Sequence, residues 1–552
     1  MAESRADDII RRQEQLRSAR GNWESLWQEV ADRVWPQMSD FLSKRSSGEK
    51  RTEKIFDATA CLALEKFAAA IHSLISPDNQ LYQKLTSQDK ALREFLPLMK
   101  WLEEVNEVLF SVRRSPFSNF SSQANECYKS LGAFGTLGML VDDVVGKGIR
   151  YKSCHLSELY ISENEHGIVD LVHRRFEYTA RQAVSAFGLD NLPDKIKQAY
   201  EKGDENSKYE FIHAVEPNKE RKHGRMDAAG MAFKSCYVSI EGRQFVEEEG
   251  GFRSFPYAIS RYSTNPREVY GRGPAMMVLP DIKMLNEMEK TTLRAGHLAV
   301  DPPLLLLEDG TLQGFQMRPR ALNYGGLNEQ GQQMVQPLET KANLPWAMEM
   351  TDGKRKLINE AFLVTLFQIL VDSPQITATE ALLRAQEKGQ LLAPTMGRQQ
   401  SEFLGRITER ELDILAMAGV LPEPPPEVAE ILGDGGIEIE YTSPLSRLMR
   451  SEDGVAILRT FEQLAPMAQA DPTVYDVFDT DALPMELAEI NGVPAKVLRS
   501  KAEIAKIREG RKQQMAMQQM LEAAPVAADA AKSLAEAAAT ASSVPAALPG
   551  MT

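Results

Sequence analysis

Glycine and lysine patterns that bind phosphate groups in other proteins are incomplete in this sequence. A P-loop needs G-x-x-x-x-G-K-[ST], in which backbone amides surround the phosphate and the lysine neutralises it. The tripeptide Gly146-Lys147-Gly148 lacks both the upstream glycine and the Ser or Thr, so it predicts a hairpin turn. The run GAFGTLG from Gly132 has the wrong spacing for the dinucleotide pattern G-x-G-x-x-G and precedes a predicted strand. We expect its glycines to let a helix and a sheet approach closely.

Potential metal ligands are present but are not grouped. The acidic runs, such as Asp142-Asp143, have no histidine or spaced carboxylate that would complete a metal site. Cys154 and His155 are adjacent, and adjacent residues of a strand point to opposite faces of the sheet. The four cysteines are far apart in sequence, which predicts reduced, buried thiols at Cys61, Cys127, Cys154 and Cys236. We therefore expect no metal, no cofactor and no catalytic residue.

A basic triplet, Lys354-Arg355-Lys356, lies inside a predicted helix. Consecutive residues of a helix fan over most of a turn, so only one or two of them can face a common partner. Two interpretations remain open, a solvated helix face and a face that contacts DNA. The motif GRGP, at residues 271–274, favours a turn and a helix cap over an anion site.

The length and composition predict a globular protein with several structural units. The chain has 552 residues, of which 43% are hydrophobic and 26% are charged, so three or four units are expected at roughly 100 to 200 residues each. The formal charge of -14 provides no net positive field for nucleic acid, so any contact with DNA must be local. The apolar run from Ala361 to Val371 is shorter than the ~20 residues that cross a bilayer. The charged N-terminus argues against a secretory signal, so we expect synthesis in the cytoplasm and no membrane partner.

The first half of the chain predicts helices followed by an antiparallel sheet. Trp23, Trp27, Val30 and Val34 form one apolar stripe of a helix that Pro36 should stop. Three more helices are expected at about 57–76, 96–110 and 123–131. From about residue 140 to 265, apolar runs and turns predict one antiparallel meander, with two short helices at 180–187 and 194–200.

The second half predicts long helices on either side of a compact segment. A helix with Ile282 and Leu285 on its inner face should stop at Asp301-Pro302-Pro303. Residues 304–345 are rich in Gly, Pro, Asn and Gln, and predict a small excursion that contains β-structure. A second helix from Trp346 to Val371 would be roughly 40 Å long at 1.5 Å per residue.

A loop at residues 372–376 precedes a third long helix. Thr377 and Glu380 form a capping box at its start, Pro394 should bend it, and it should reach about Ala418. The segment GIEIEYTSP predicts a returning strand, and amphipathic helices are expected from Glu452 to about residue 520. The alanine-rich end of the chain predicts weak helicity or disorder.

Four stretches of the sequence are similar to segments of a known protein family. They are the opening RRQEQLRSARGNWESLWQEVADRVWP, the helix FDATACLALEKFAAAIHSLISPDNQLYQKL, the segment YGRGPAMMVLPDIKMLNEMEKTTLRAGHLAVDPPLL, and the order of elements after it. Together they resemble the head-to-tail connector, or portal, proteins of short-tailed bacteriophages. The likeness covers roughly residues 5 to 520.

The resemblance implies an α+β, mainly helical fold with wing, stem, clip and crown regions, assembled as a ring. The ring usually has twelve copies around a channel for double-stranded DNA. The implied regions are the wing at 1–265, a stem helix at 266–298, the clip at 299–345, a second stem helix at 346–371, a tunnel loop at 372–377, a kinked helix and strand returning to the wing at 378–445, crown helices at 446–522, and a flexible tail at 523–552.

The resemblance also implies site residues and partners. Residues expected to face the DNA channel are Asp372, Ser373, Pro374, Gln375, Ile376, Thr377, Lys354 and Lys356. Arg318 and Arg320 are expected to dock the packaging motor and then the tail. The implied partners are further copies of the chain, double-stranded viral DNA, the large terminase subunit, the major capsid and scaffold proteins, and tail adaptor proteins.

The function implied by the resemblance is that of a portal at one capsid vertex of the virion, assembled in the host cytoplasm. The ring would be the channel for DNA packaging and ejection, and the protein would not be an enzyme. A packaging ATPase or nuclease is disfavoured because the P-loop and the clustered carboxylates are missing. The remaining alternative is a scaffold or minor capsid protein without a DNA channel.

Overall fold

The computed structural model divides the chain into two compact units. The first comprises Met1–Leu85, Glu104–Glu423 and Glu438–Asn491, and the second comprises Thr86–Glu103, Pro424–Ile437 and Gly492–Thr552. The structure describes residues 2–306, 322, 327, 330–337, 344–365, 394–517 and 532–534, apart from 45, 47, 90, 91, 223, 226, 433–436, 443, 471, 480, 481, 491, 492, 494 and 500–502.

Helices make up most of the regular structure in the described part. They are α1 (Ala2–Val34), α2 (Thr59–Ile75), α3 (Leu96–Arg114), α4 (Phe120–Phe134), α5 (Ala180–Phe187), α6 (Asp194–Glu201), α7 (Pro274–Met277), α8 (Leu279–Val300), α9 (Leu344–Ala361), α10 (Gly405–Met417), α11 (Pro426–Leu432), α12 (Pro444–Ala470) and α13 (Ala482–Ile490). Residues 394–398 and 503–517 are also helical, and Gln399–Leu404 form a π-helix. The predicted fold class, α+β and mainly helical, is confirmed.

The strands form small antiparallel sheets. They are β1 (Gln83–Ser87), β2 (Thr136–Val144), β3 (Gly148–Ser153), β4 (Leu159–Glu163), β5 (Val169–Thr179), β6 (Lys208–Pro217), β7 (Phe233–Ser239), β8 (Gln244–Phe245), β9 (Gly250–Phe252), β10 (Tyr257–Arg261), β11 (Leu304–Leu306), β12 (Val335–Pro337) and β13 (Ile437–Tyr441). The largest sheet has the order β4-β5-β6-β7-β8, with β9 also paired to β7. The other sheets are β10-β2-β3, β11-β12 and β1-β13.

The single meander predicted between residues 140 and 265 is instead two sheets. The hairpin of β2 and β3 forms as predicted, but β10 returns to pair with β2, with Ser260 opposite Leu137. A Cβ on Gly138 would lie 2.2 Å from Cδ1 of Leu159, so this part of β2 is covered by a side chain of β4. Strands β2 and β4 therefore pack face to face and do not pair with each other.

The core of the largest sheet lies under α5 and α6. Two helices can cover this face because β5 and β6 place aromatic side chains on it at alternate positions. The buried cluster consists of Phe176, Ala180, Ala183, Phe187, Leu192, Ile196, Tyr209, Phe211 and Val246. The capping box at the start of α5 pairs Thr179 with Gln182 and fixes the turn from strand to helix.

Glycines allow a close backbone contact between α4, β2 and the GRGP turn. Gly135 ends α4 with a φ of 69°, and a Cβ there would lie 2.3 Å from the backbone nitrogen of Gly273. Pro274 then opens α7. Gly273 caps α7, as the interpretation of GRGP predicts. The close approach made by the GAFGTLG run is that of the end of α4 to the GRGP segment and to α2, whereas the sequence predicted the approach of a helix to a sheet.

The helix predicted from Trp346 to Val371 is wrong in its described part, because α9 ends at Ala361. Leu363 adopts a φ of 58°, which breaks the helical path. The side chain of Phe362 is fully buried and meets the ring of Phe67, with the centroids 6.2 Å apart. Within the described residues, the chain therefore turns into the core of the first unit at Phe362, and α9 ends there.

The third long helix is described only from Pro394. The sequence predicted a bend at that proline, whereas the irregularity in the structure is the π segment that begins five residues later. The predicted capping box at Thr377 lies outside the described residues. The returning strand is confirmed as β13.

The second unit contains short segments from three parts of the chain. Leu98, Trp101 and Leu102 of α3 and Val428 of α11 contribute buried side chains. A backbone N–H of Lys496 donates to the carboxylate of Glu103 at 3.1 Å. The alanine-rich end is described only at residues 532–534, which are helical.

Candidate functional site

Most of the predicted site residues fall outside the described part of the chain. These are the loop from Asp372 to Thr377 and the two arginines Arg318 and Arg320, so their roles stay predictions. Lys354 and Lys356 are described and lie on α9. The pair of α8 and α9 is therefore the part of the predicted site with observable geometry.

The two helices pack against each other through inner faces that periodic apolar residues define. The first turn of α8 contains Pro280, whose missing N–H would have no helical partner in any case. Its buried residues are Leu279, Ile282, Leu285 and Asn286, and α9 buries Thr351 and Ile358. The helix stops at Asp301, as the following Pro302-Pro303 predicts.

Lys354 and Lys356 have different surroundings. The ammonium nitrogen of Lys354 lies 2.7 Å from Oδ1 of Asp281 in the first turn of α8. Lys356 is exposed to solvent. Because the Asp281 carboxylate neutralises Lys354, the positive charge that α9 offers to a polyanion is mainly that of Lys356.

Arg355, between these lysines, joins α9 to α8 and to the start of α2. Its guanidinium bonds to Asp57 at 2.9 Å, to Glu289 at 2.5 Å and to Asp352 at 2.8 Å. Burial lowers the pKa of Arg355, but the hydrogen bonds that it donates to Asp57 and Asp352 outweigh this effect and the pKa is raised. The middle residue of the triplet is thus a structural ion-pair centre.

Asp57 and Asn286 complete this junction. Asp57 accepts a hydrogen bond from the backbone N–H of Thr59 at 2.7 Å, at the first residue of α2. Burial raises the pKa of Asp57, but hydrogen bonds from Thr59 and Arg355 outweigh it and lower the pKa below its ordinary value. Oδ1 of Asn286 accepts from the backbone N–H of Phe56 at 2.7 Å. The helix pair is therefore positioned by polar contacts with the residues that lead into α2.

An apolar stripe lies on the outer face of α9. We call Trp346, Met350, Gly353 and Leu357 the α9 stripe, since their i, i+4, i+7 and i+11 spacing places them on one side of the helix. Trp346 is 60% exposed, Met350 40% and Leu357 42%. On α8, Met284, Leu293 and Leu298 are exposed as well. An apolar surface on one exposed helix face is a candidate contact surface for another protein.

A buried ion pair that the sequence did not predict joins α3 to α10. The guanidinium of Arg113 bonds to the carboxylate of Glu411 through two nitrogens, at 2.8 and 2.6 Å. Arg113 also donates to Thr408 at 2.8 Å and to the hydroxyl of Tyr82 at 2.9 Å. The hydroxyl of Tyr151, on β3, donates to Glu411 as well. The guanidinium, the carboxylate and the three hydroxyl groups thus form one buried hydrogen-bond network inside the first unit.

The electrostatics of this network keep its charges in place. Burial lowers the pKa of Arg113, but the charge of Glu411 outweighs it and the pKa is raised well above its ordinary value. Burial also raises the pKa of Tyr82 to about 12. The tyrosine therefore stays a neutral hydroxyl. No local sequence pattern predicts this network, because its two charged residues are 298 positions apart in the chain.

Within the described residues, no group of three or more His, Cys, Asp or Glu side chains is placed to hold a metal ion. None of the described helices combines the length and apolar character that a bilayer crossing requires. The four cysteines carry free thiols, and three of them are buried whereas Cys61 is half-buried.

Long helices tied by ion pairs and an exposed apolar stripe are features of structural proteins that assemble with other protein surfaces. The comparison with known families agrees with this class. Residues 6–498 match the family described as "Bacteriophage head to tail connecting protein". The chain belongs to this family, and the predicted resemblance is confirmed. It is a structural component that connects the head of a phage to its tail.

Relatives are similar over nearly their whole length. A "Portal protein" of Salmonella phage epsilon15 is 28% identical over 542 residues, which cover 97% of this chain and 96% of that protein. A "Probable portal protein" of Bordetella phage BPP-1 is 28% identical over 518 residues, which cover 93% of this chain and 92% of that protein.

A solved structure shows a weaker similarity. A chain from the "Neck of empty GTA particle computed with C6 symmetry" aligns with a TM-score of 0.33 at 12% identity, over 72% of this chain and 84% of that chain. A similarity at this level does not define a shared fold.

Proposed function

We propose that this chain is a portal protein, which forms a ring at one vertex of the capsid around a channel for double-stranded DNA. The family match across residues 6–498 carries this proposal. The portal names of two relatives that align over more than nine-tenths of the chain support it. In this role the ring admits DNA during packaging and releases it during ejection.

The α9 stripe supports ring assembly. Leu357 and Met350 expose apolar side chains. Among the described residues, no atom lies within 4 Å of the position that a Cβ would take at Gly353 between them. A gap in the middle of an apolar stripe lets a helix of another copy approach closely. We propose a ring of twelve copies in which the helix pair of each copy contacts the next.

DNA contact in the channel is proposed for Lys356 and for the loop from Asp372 to Thr377. Lys356 is exposed on α9, whereas Lys354 is paired with Asp281. The net charge of -14 keeps the rest of the chain from binding DNA tightly. Such a channel holds the duplex by local, reversible phosphate contacts and does not read its sequence. Deletion of residues 372–377 should impair packaging or retention of DNA, and normal values for both would contradict this role.

Docking of the terminase large subunit, and later of tail adaptor proteins, is proposed for the clip with Arg318 and Arg320. The major capsid and scaffold proteins would surround the ring during assembly in the host cytoplasm. Reversal of both charges, Arg318→Glu with Arg320→Glu, should weaken motor and tail attachment while rings still form. Attachment at the normal level would contradict this assignment.

The proposed portal performs no catalysis and carries no cofactor. The energy for packaging would come from the terminase, and the ring would supply the passage and the docking surface. ATP hydrolysis by the purified chain should therefore not exceed the buffer blank. Hydrolysis that is lost with a single substitution in this chain would contradict the proposal.

Negative-stain imaging and mass photometry of the purified chain test the proposed function directly. A portal gives closed rings with a central hole at micromolar concentration, and antibody labelling of virions places it at one vertex. Solid particles or filaments under all assembly conditions, with label spread over the capsid, would instead favour a scaffold or minor capsid protein.

A further inference from the structure

The helix that leads into α10 contains a six-residue π segment, Gln399–Leu404. Helical residues lie on both sides of it, at 394–398 and from Gly405 onward. The N–H of Gly405 bonds to the carbonyl oxygen of Gln400, five residues earlier, which is the hydrogen-bond pattern of a π-helix. A π turn holds more residues than an α turn, and such segments are rare and concentrated at functional sites.

A tertiary contact supports the widened turn. The hydroxyl of Tyr441, on β13, donates to the same carbonyl oxygen of Gln400. A Cβ at Gly405 would lie 3.2 Å from the Tyr441 hydroxyl and 3.3 Å from that carbonyl oxygen. The absence of a side chain at Gly405 therefore leaves room for both hydrogen bonds.

The N-terminal side of the π segment is held by contacts with Arg261 of β10 and with Thr264. Nε2 of Gln399 donates to the carbonyl oxygen of Arg261 at 3.0 Å. Glu402 accepts from the backbone N–H of Arg261 at 3.1 Å and from its guanidinium at 3.0 Å. Arg398 donates to the hydroxyl of Thr264 at 2.9 Å. These bonds depend on which residue occupies each position, so they report the register of the helix.

The side that follows the π segment is fixed. Thr408 and Glu411 of α10 belong to the buried network of Arg113 and Tyr151 described above. Because this network cannot rotate without leaving a charge unpaired, a change of register must be taken up by the residues before α10.

One contact can be kept in such a change, although the bonds of Glu402 with Arg261 and of Arg398 with Thr264 would be lost. In a regular α-helix the position now held by Gln399 would be held by Gln400, so the same side-chain amide would face the carbonyl oxygen of Arg261. Gln399 is fully buried, yet its Oε1 has no hydrogen-bond partner among the residues that the structure describes. The π form therefore leaves one buried polar atom without a hydrogen bond. This reduces the free-energy difference between the π form and a regular α-helix.

We propose that Gln399–Leu404 is a two-register element that converts between the π form and an α form. Conversion to the α form would rotate residues 394–398 by about 100° and shift them by about 1.5 Å relative to α10. The hydrogen bonds of Tyr441 and Glu402 favour the π form. The α form stays accessible because Gln400 can replace Gln399 as the donor to Arg261. The element lets residues 394–398 change the face they present, which moves the buried Met396, while α10 and the Arg113 network stay in place. This inference is independent of the proposed portal function.

Deletion of Gln400 is the first test. Removal of one residue turns the π segment into an α-helix while the residues on both sides keep their present neighbours. The deletion variant should therefore fold, with a Tm at or above that of the wild type. The matched control is deletion of Glu409, an exposed residue inside α10, which rotates Glu411 away from Arg113 and should lower the Tm by about 3 to 5 °C.

Hydrogen exchange of the full-length chain measures the conversion itself. In the wild type, amides of residues 394–404 should exchange through the register change, and deletion of Gln400 should slow them by about 10-fold because only one register remains. Tyr441→Phe removes the bond that favours the π form and should speed the same amides by about 5-fold. Tyr178→Phe, which removes a hydroxyl beside α5, is the control and should leave them unchanged.

The folding and the amide exchange of these variants distinguish a two-register element from a fixed π segment. Slower exchange on deletion of Gln400 together with faster exchange in Tyr441→Phe supports the two-register element. A loss of stability on deletion of Gln400, as large as on deletion of Glu409, would show that the segment is not a removable insertion and would overturn it. A folded deletion variant with unchanged exchange would show a fixed bulge and would also overturn it.

Discussion

Arg113 and Glu411 illustrate how a single buried contact can carry a large share of stability. Both side chains are almost inaccessible, at 2% and 0% exposure. Arg113→Met should lower the free energy of unfolding by about 3 to 5 kcal/mol, because it leaves the Glu411 carboxylate buried without its partner. Urea denaturation followed by circular dichroism measures the loss.

The matched control for this prediction is an exposed ion pair on the same helix. Arg406 lies 3.0 Å from Glu409, and their side chains are 32% and 53% exposed. Arg406→Ala should cost under about 1 kcal/mol. Equal losses in Arg113→Met and Arg406→Ala would contradict the role assigned to the buried network.

The Asp57 carboxylate should make the junction of α2, α8 and α9 sensitive to acid. Its folded pKa is lower than the ordinary 3.8, so the stability it contributes is complete above that value and is lost as the pH falls through the folded pKa. Asp57→Asn keeps a side-chain acceptor for Thr59 but removes the charge. The difference in unfolding free energy between wild type and variant should stay constant from pH 7 to pH 5 and shrink below about pH 4.

Asp352→Asn provides the comparison, because Asp352 also bonds to Arg355 but is mostly exposed. Its effect on stability should be small at every pH. A stability difference for Asp57→Asn that persists unchanged to pH 2.5 would mean that the hydrogen bond with Thr59, and not the charge, matters.

At the scale of elements, the contact of α4 and β2 with the GRGP turn depends on Gly135. Gly135→Ala would place a Cβ 2.3 Å from the backbone nitrogen of Gly273 at a positive φ, and should destabilise the fold by about 2 to 5 kcal/mol. Gly146→Ala has a similar positive φ but no atom within 4 Å, so it should cost only about 1 to 2 kcal/mol. Thermal unfolding of both variants separates backbone strain from steric conflict. Equal losses of stability in the two variants would show that the positive φ, and not the contact with Gly273, determines the cost at Gly135.

The elements that were predictable from the sequence are those whose signals are local. The stripe of Trp27 and Val34 and the stop at Pro36 define the end of α1 without reference to any other segment. The turn at Gly146 likewise defines the hairpin of β2 and β3. Each depends on periodicity or on backbone preference within a few residues.

The elements that were missed depend on partners distant in sequence. Leu363 accepts a positive φ because Phe362 reaches a core that includes Phe67. The π segment depends on Tyr441 and Arg261, and the Arg113 network on Glu411. Of the predicted site, the described part confirms the placement of Lys354 and Lys356 on one helix, but the pairing of Lys354 with Asp281 was not foreseeable from α9 alone.

At the scale of the whole molecule, assembly should depend on the α9 stripe. Leu357→Glu places a charge on this stripe and should reduce the ring population by about 10-fold at equal concentration, because an interface centre does not tolerate an unpaired charge. The fold of the isolated chain should be unchanged, since Leu357 is 42% exposed. Mass photometry measures the ring population and circular dichroism the fold.

Val145→Glu is the control for assembly. Val145 is 92% exposed at the tip of the hairpin of β2 and β3, and the same charge there should leave assembly intact. If Leu357→Glu assembled as well as Val145→Glu, the ring would form through another surface.

The pairing of Arg113 with Glu411 also has a consequence during synthesis. The ribosome adds 298 residues between the two, which takes roughly 15 to 60 s at bacterial elongation rates. Throughout that interval the emerging N-terminal portion holds a guanidinium whose counter-ion has not been translated. Chaperone occupancy of ribosome-bound chains should therefore persist until Glu411 leaves the exit tunnel.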